Sequence, residues 1–289
     1  VATALLTGLV LGAIYVLVGV GYNIVLIASG AFNFAQAAVV MVGTFLAFEL
    51  GNIRDYPVLV VIAIGAAVGA VVGVITEFVA IRPVVGKGLH GELVTTVGVS
   101  TILTGIVLVI WGADVRPVNP VVSSDVITIL GGRMTVDALV VVVVAVGTCL
   151  AAWAWTRFTL AGLAALAVSE DRVAARLRGI NVNRLSILAM AAAGAIGAGV
   201  GPIVGTQTLA VATVAAVVTL KAFLVLIVGG MGSFPGLLIG GLVLIGPIEA
   251  LTVRYLGSEY ATFVLFAVLL VVLLVKPEGL FGQKVARSV

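Results

Sequence analysis

The chain has 289 residues, 62% of them hydrophobic and 9% charged, with a formal net charge of +3 and a mean hydropathy of +1.35. A soluble domain carries roughly 25% charged residues, so this composition excludes a chain that stays dissolved and points to an integral membrane protein. The pI near 9.2 does not imply nucleic acid; the basic residues sit in loops, where they orient a membrane protein.

Apolar stretches of about 20 residues predict helices, since barrel strands would be shorter and alternating. The expected fold is an all-α polytopic membrane protein. It forms one transmembrane domain over residues 1–289, a bundle of about eight to nine helices. The first run, Ala4–Ile27, has no basic segment before it and no small-residue cleavage site after it, so it reads as a retained span. Next comes Ser29-Gly30-Ala31-Phe32-Asn33-Phe34-Ala35-Gln36, polar and flexible between apolar runs. Spans follow at Ala37–Leu50, which needs to start near Phe32 to be long enough, at Pro57–Ala80 and at Leu93–Trp111. Glu77 stands close enough to Arg82 for a local ion pair. Thr96, Ser100 and Thr104 form a hydroxyl stripe on the fourth span. Such hydroxyls bond to their own helix or to a neighbour, and a substrate lining is the alternative.

The loop 112–135, with Pro117, Pro120 and Gly131-Gly132, is long enough for a small hairpin or helix. The fifth span, Ala138–Trp155, holds Cys149, the single cysteine, which reads as an inert small hydrophobe. Thr159 to Arg184 is the long polar interruption. There Ser169 is the expected N-cap, with Glu170 and Asp171 in the first turn, where the helix dipole favours carboxylates. Arg176 and Arg178 fall in the last turn, and Gly179 is the expected stop. Val173, Leu177 and Ile180 make one narrow apolar face. A short capped helix with one sticky face suits docking on another protein; an ordinary solvated loop helix is the plainer alternative.

Leu185–Gly205 and Gln207–Val228 need a very tight turn, or else form one span and a re-entrant segment. Ala193, Gly197, Gly201 and Gly205 recur every four residues, a ridge that lets another helix approach closely. A second break, Gly229-Gly230-Met231-Gly232-Ser233-Phe234-Pro235-Gly236, precedes the runs Pro235–Val253 and Ala261–Val275. Matching interruptions in two halves point to discontinuous helices near a transport path; a pair of tight turns is the other reading. With nine crossings and a cytoplasmic C-terminus, the inner loops hold Arg82, Lys87, Arg157, Arg172, Arg176, Arg178, Arg184, Lys276, Lys284 and Arg287. The outer loops hold only Arg54, Arg116, Arg133 and Arg254. This bias puts the capped helix in the cytoplasm.

One His90, one Cys149 and scattered carboxylates make no metal site, and no nucleophile–base arrangement is visible. The phosphate-binding pattern is absent, since Gly86-Lys87 is followed by Gly88. Lys221, inside a span, is the clearest candidate for function. It meets a substrate carboxylate or a partner, snorkels to the surface, or forms a structural pair. Asn23, Asn33 and Gln36 need partners in a low-dielectric interior and suit a path for a zwitterion with an apolar side chain.

Gly12-Ala-Ile-Tyr15, Asn33-Phe-Ala-Gln36, Glu77 through Arg82-Pro83, Ala174-Ala175-Arg176 with Gly179-Ile180, Lys221-Ala-Phe223, Gly229 to Gly236 and Lys276 to Gly282 occur in an ordered series. In that order and spacing, over nearly the whole chain, the sequence resembles the LivH-type permease subunits of bacterial branched-chain amino-acid ABC transporters. The family pattern at the first break ends in His-Gly, where this chain has Gln36-Ala37. The resemblance implies an importer half in the bacterial cell membrane. Its partners are a second permease subunit, identical or a paralogue, two cytoplasmic ATPase subunits and an extracytoplasmic binding protein. No cofactor is expected on this chain, and ATP and Mg belong to the ATPase subunits. The resemblance makes 159–184 the coupling segment, with Ser169, Glu170, Asp171, Arg172, Val173, Arg176, Leu177 and Gly179 carrying the coupling to the ATPase. The residues expected along the substrate path are Tyr15, Asn23, Asn33, Phe34, Gln36, Thr96, Ser100 and Lys221. Urea or short-amide permeases are close relatives of the same kind. A self-sufficient carrier or channel is the competing class, but it needs an ion relay for which the interior has few carboxylates.

Overall fold

In hydrocarbon a chain segment must satisfy its own backbone hydrogen bonds, so each apolar run closes into a helix. The computed structural model describes residues 1–84, 89–129 and 131–282. Its helices begin with α1 (Ala2–Ser29), α2 (Gln36–Ile53), α3 (Val58–Ile81) and α4 (Leu89–Trp111). A two-stranded antiparallel hairpin follows, β1 (Val126–Ile129) and β2 (Gly132–Thr135), with Val126 opposite Thr135. Then come α5 (Val136–Phe158), α6 (Leu160–Glu170), α7 (Arg172–Leu177), α8 (Val182–Gly199) and α9 (Gly201–Thr208). The series closes with α10 (Val214–Gly229), α11 (Phe234–Tyr255) and α12 (Ser258–Val275). Among the described residues, eight of these helices are long and apolar enough to cross a membrane.

The α8–α10 region departs from expectation. Pro202 sits in the first turn of α9, where its missing N–H is tolerated, and separates α9 from α8 at Val200. Gln207 therefore lies in the last turn of α9 and does not start the next span; Leu209, at φ 59°, closes that helix. The turn is secured by Arg116 and Ala210, which exchange backbone hydrogen bonds of 3.0 and 2.9 Å. With 16 residues, α10 is about 24 Å long, short of a hydrocarbon core of about 30 Å. Its flanks nonetheless lie at opposite ends of the bundle: Ala210, four residues before it, pairs with Arg116 of the 112–135 loop, and Gly229 O accepts from Phe281 N at 3.1 Å.

The centre of the bundle is α1. Its membrane-spanning window is 89% buried, and α5, α6, α8, α10 and α11 all pack on it. By contrast α4 and α12 lie at the periphery. The predicted small-residue ridge receives α2: Gln36 lies on Ala193 and Gly197, and Gly43 meets the Gly201 backbone. A second close crossing joins α3 and α8, where Gly69 and Gly194 face each other's carbonyls, leaving no room for a side chain.

Candidate functional site

The first break is a buried turn between two helices. Gly30, at φ 67°, ends α1, and its N–H reaches Leu26 O at 2.8 Å. Residues 31–35 are buried, so each backbone N–H needs a partner within the protein. Phe32 N donates to Glu92 Oε2 at 2.9 Å and Phe34 N to Thr96 Oγ1 at 3.2 Å, both on α4. Ala35 N donates to Asn33 Oδ1 at 3.1 Å. Arg172 Nη1 donates to Ser29 O at 2.8 Å, a cation placed on the carbonyl end of α1. Phe32 and Phe34 stack at 4.8 Å and close on Tyr22 and Phe223 with centroids 5.2–6.5 Å apart.

The second break, 229–236, is also a turn between helices. Its Ser233 side chain caps α11 by accepting from Gly236 N at 3.1 Å. Gly229 and Gly236 meet backbone to backbone, and Gly230 lies on the backbone of Gly282. Leu280 N donates to Val228 O at 2.8 Å, so the C-terminal segment is stitched to this turn. The two breaks thus join separate helices and do not interrupt single ones, which corrects the discontinuous-helix reading. Asn23 ties α1 to this second turn: Gly232 N donates to its Oδ1 at 2.9 Å and its Nδ2 to Ser233 O at 3.4 Å.

The expected pathway residues fall into three groups. Asn33, Phe34, Gln36 and Thr96 belong to the first turn or its supports, and Asn23 to the second. Gln36 is wholly buried and donates to Ala193 O at 2.8 Å. Tyr15 and Lys221 meet farther along the bundle on a carboxylate the sequence left unpaired, Glu249. Tyr15 Oη donates to Glu249 Oε2 at 2.8 Å, and Lys221 Nζ pairs with Oε1 at 2.5 Å. Lys221 is therefore in a structural pair and does not snorkel, because two side chains from α1 and α11 hold it inside. Ser100 stands apart, half-buried, its carbonyl accepting from Thr104 Oγ1 at 2.9 Å. A groove of about 640 Å³ between α1, α5, α6 and α8 is apolar and includes none of these eight residues. Glu77 is buried, and Arg82 lies 4.4 Å over the Phe78 ring; their ion pair is absent among the described residues.

The segment expected to carry the coupling is two helices. Asp171, not Ser169, is the cap of α7, its Oδ1 accepting from Val173 N at 2.8 Å and Ala174 N at 2.9 Å. Ser169 instead lies within α6 and donates to Leu166 O at 2.7 Å, while Glu170 is that helix's last residue. Thr159 caps α6, whose Ala165 and Val168 are buried, so this half of the supposed polar interruption is part of the core. Gly179, at φ 86°, stops the chain as expected. Val173 and Leu177 are 67% and 85% exposed, whereas Ile180 turns onto the core, leaving a two-residue apolar face. Arg172 points inward: burial and Arg176 push its guanidinium below its ordinary pKa, opposed by the Glu77 and Glu92 carboxylates. Lys87, Lys284 and Arg287 lie outside the described residues, as does the Gly86-Lys87-Gly88 stretch.

Glu92 was not among the expected site residues, since the fourth span was expected to start at Leu93. A carboxylate one turn before Thr96 on the same helix face is the signal that finds it.

The family described as branched-chain amino acid transport system / permease component matches residues 4–273. The high-affinity branched-chain amino acid transport system permease proteins LivH of Salmonella typhimurium and of Escherichia coli are each 31% identical to this chain, covering 98% of it and 96% of their own length. The corresponding permease protein BraD of Pseudomonas aeruginosa is 28% identical, over 99% of this chain and 97% of its own. Among solved structures, PsaBC from Streptococcus pneumoniae in complex with Fab aligns with a TM-score of 0.51 at 12% identity, covering 96% of this chain and 92% of that one. At that identity the likeness concerns the fold alone.

Proposed function

The chain belongs to the branched-chain amino acid transport system permease family, and on that premise we propose that it is the membrane subunit of an ATP-driven importer of branched-chain amino acids. The match along nearly its whole length carries this reading. Two permease subunits form the route in the cell membrane, an extracytoplasmic binding protein delivers the amino acid, and two cytoplasmic ATPase subunits bind ATP and Mg. This chain is a non-catalytic subunit.

The end of the bundle carrying α7 is the cytoplasmic one. Arg82, Arg157, Arg172, Arg176, Arg178, Arg184 and Lys276 gather there, against Arg54, Arg116, Arg133 and Arg254 at the other. Val173 and Leu177 supply the docking face: large apolar side chains held out on a capped helix gain from being covered. Closure of the ATPases on ATP pushes α7, and the bundle rocks between outward- and inward-open states.

Isolation from native membranes under mild detergent should bring down ATPase and binding-protein partners, and the complex in vesicles should accumulate labelled leucine, isoleucine or valine only with ATP. Leu177→Asp, or Gly179→Pro at the left-handed stop, should leave insertion intact and lose the ATPase subunits. Retained ATPase in both variants removes the docking role. Accumulation of urea or a short amide in place of amino acids changes the substrate class, and accumulation by the chain alone without nucleotide removes the importer reading.

A further inference from the structure

The first turn is gripped from outside by three side chains on two other elements, and one of these grips begins on the docking helix itself. Arg172 is the first residue of α7, and its Nη1 lies 2.8 Å from Ser29 O, the last residue of α1. Its Nε is buried without a partner among the described residues, so the guanidinium is committed inward and not to a surface. Three residues past Ser29, the turn is held again by the Glu92 carboxylate on Phe32 N, and two residues later by Thr96 on Phe34 N. Ala31 to Ala35 are buried, so these charged and polar contacts are the turn's external supports in a low-dielectric site, where hydrogen bonds to ionised groups are the strong ones. Gly30, by contrast, has open space around it, so the turn has room to hinge there. On its far side the turn carries Phe32 and Phe34 onto Phe223 of α10.

We propose that Arg172 and Glu92 are positioning residues that transmit displacement of α7 to the 29–36 turn, and through its two phenylalanines to α10. This rests on the reading of α7 as the ATPase docking helix, but it concerns what lies behind the docking face and not the face itself. When α7 is pushed, the Arg172 contact carries Ser29 and the end of α1 with it. Glu92, fixed on α4, holds the middle of the turn, so the displacement is taken up between the two grips.

The test uses the assembled transporter with its ATPase subunits in membrane vesicles, carrying Cys149→Ala and a reporter Asn33→Cys in the turn. Maleimide labelling of the reporter is followed with and without ATP and vanadate. With Arg172 and Glu92 intact, nucleotide should change the labelling rate by about fivefold or more, a typical size for coupled sites. In Arg172→Gln and in Glu92→Gln that change should vanish while the ATPase subunits still co-purify; Arg172→Lys, which keeps a cation and a donor, should restore part of it. A full nucleotide response in Arg172→Gln overturns the proposal. So does an unresponsive reporter with Arg172 and Glu92 present, and so does loss of the ATPase from Arg172→Gln, which makes Arg172 a docking contact. Failure of the docking reading shows separately, as ATPase retained by both Leu177→Asp and Gly179→Pro.

Discussion

The turn at 29–36 and the turn at 229–236 lie at the same end of the bundle, either side of α10, and are held by different means. The first is suspended by side chains from afar: Arg172, Glu92 and Thr96 reach it across 143, 60 and 62 residues of sequence. The second is packed through its own backbone, with Gly229 against Gly236 and Gly230 against Gly282, and stitched to the C-terminal segment at Val228 and Gly229. A turn hung on side chains moves when its holders move, because the strong bonds to Arg172 and Glu92 travel with the helices that carry them. A turn made of touching backbones has no such slack, since close-packed atoms yield only by separating. One is built as a moving part and the other as its anchor.

The comparison breaks first at Gly236. In Gly236→Val the new side chain meets Gly229 O and the Phe281 side chain, so no monodisperse folded protein should survive size-exclusion in detergent. A wild-type yield means the second turn is not backbone-packed. Next in size is Lys221→Met, which tests a side-chain tie remote from both turns. It leaves Glu249 buried and unpaired at a cost of about 3–5 kcal/mol, read as a lowered melting temperature. Lys221→Met with Glu249→Leu should recover most of that loss, because no orphaned charge remains. Asn23→Leu removes both bonds between α1 and the second turn and should cost about 2–3 kcal/mol. Gly30→Ala sharpens the contrast with Gly236: space is open there, so only the left-handed backbone is penalised, by about 1–2 kcal/mol. Smallest is Ser233→Ala, which removes one cap for about 1 kcal/mol.

Sequence reasoning placed the α7 stop at Gly179 and the ridge that receives α2, since both depend on residue type and spacing alone. It chose the wrong cap because Ser169 and Asp171 are both good N-cap residues two positions apart. The choice fell to Asp171, whose extended backbone (φ −149°, ψ 105°) lets its carboxylate turn back on the next N–H groups, while Ser169 was absorbed into α6. Lys221 showed itself as a buried charge, but its partner Glu249 is 28 residues away on another helix, and no local pattern joins them.

The sequence by itself determined that this chain lives in a bilayer, roughly where its helices run, and which end gathers the positive charge. It could not say which helix is the centre. The windows of α1 and α4 have mean hydropathies of 2.2 and 2.3, yet the first is 89% buried and the second 11%. Lipid and protein interior are equally apolar, so hydropathy cannot separate them. Only the tertiary structure decided that, by placing buried polar groups such as Asn23, Glu92 and Glu249 where each could find a partner.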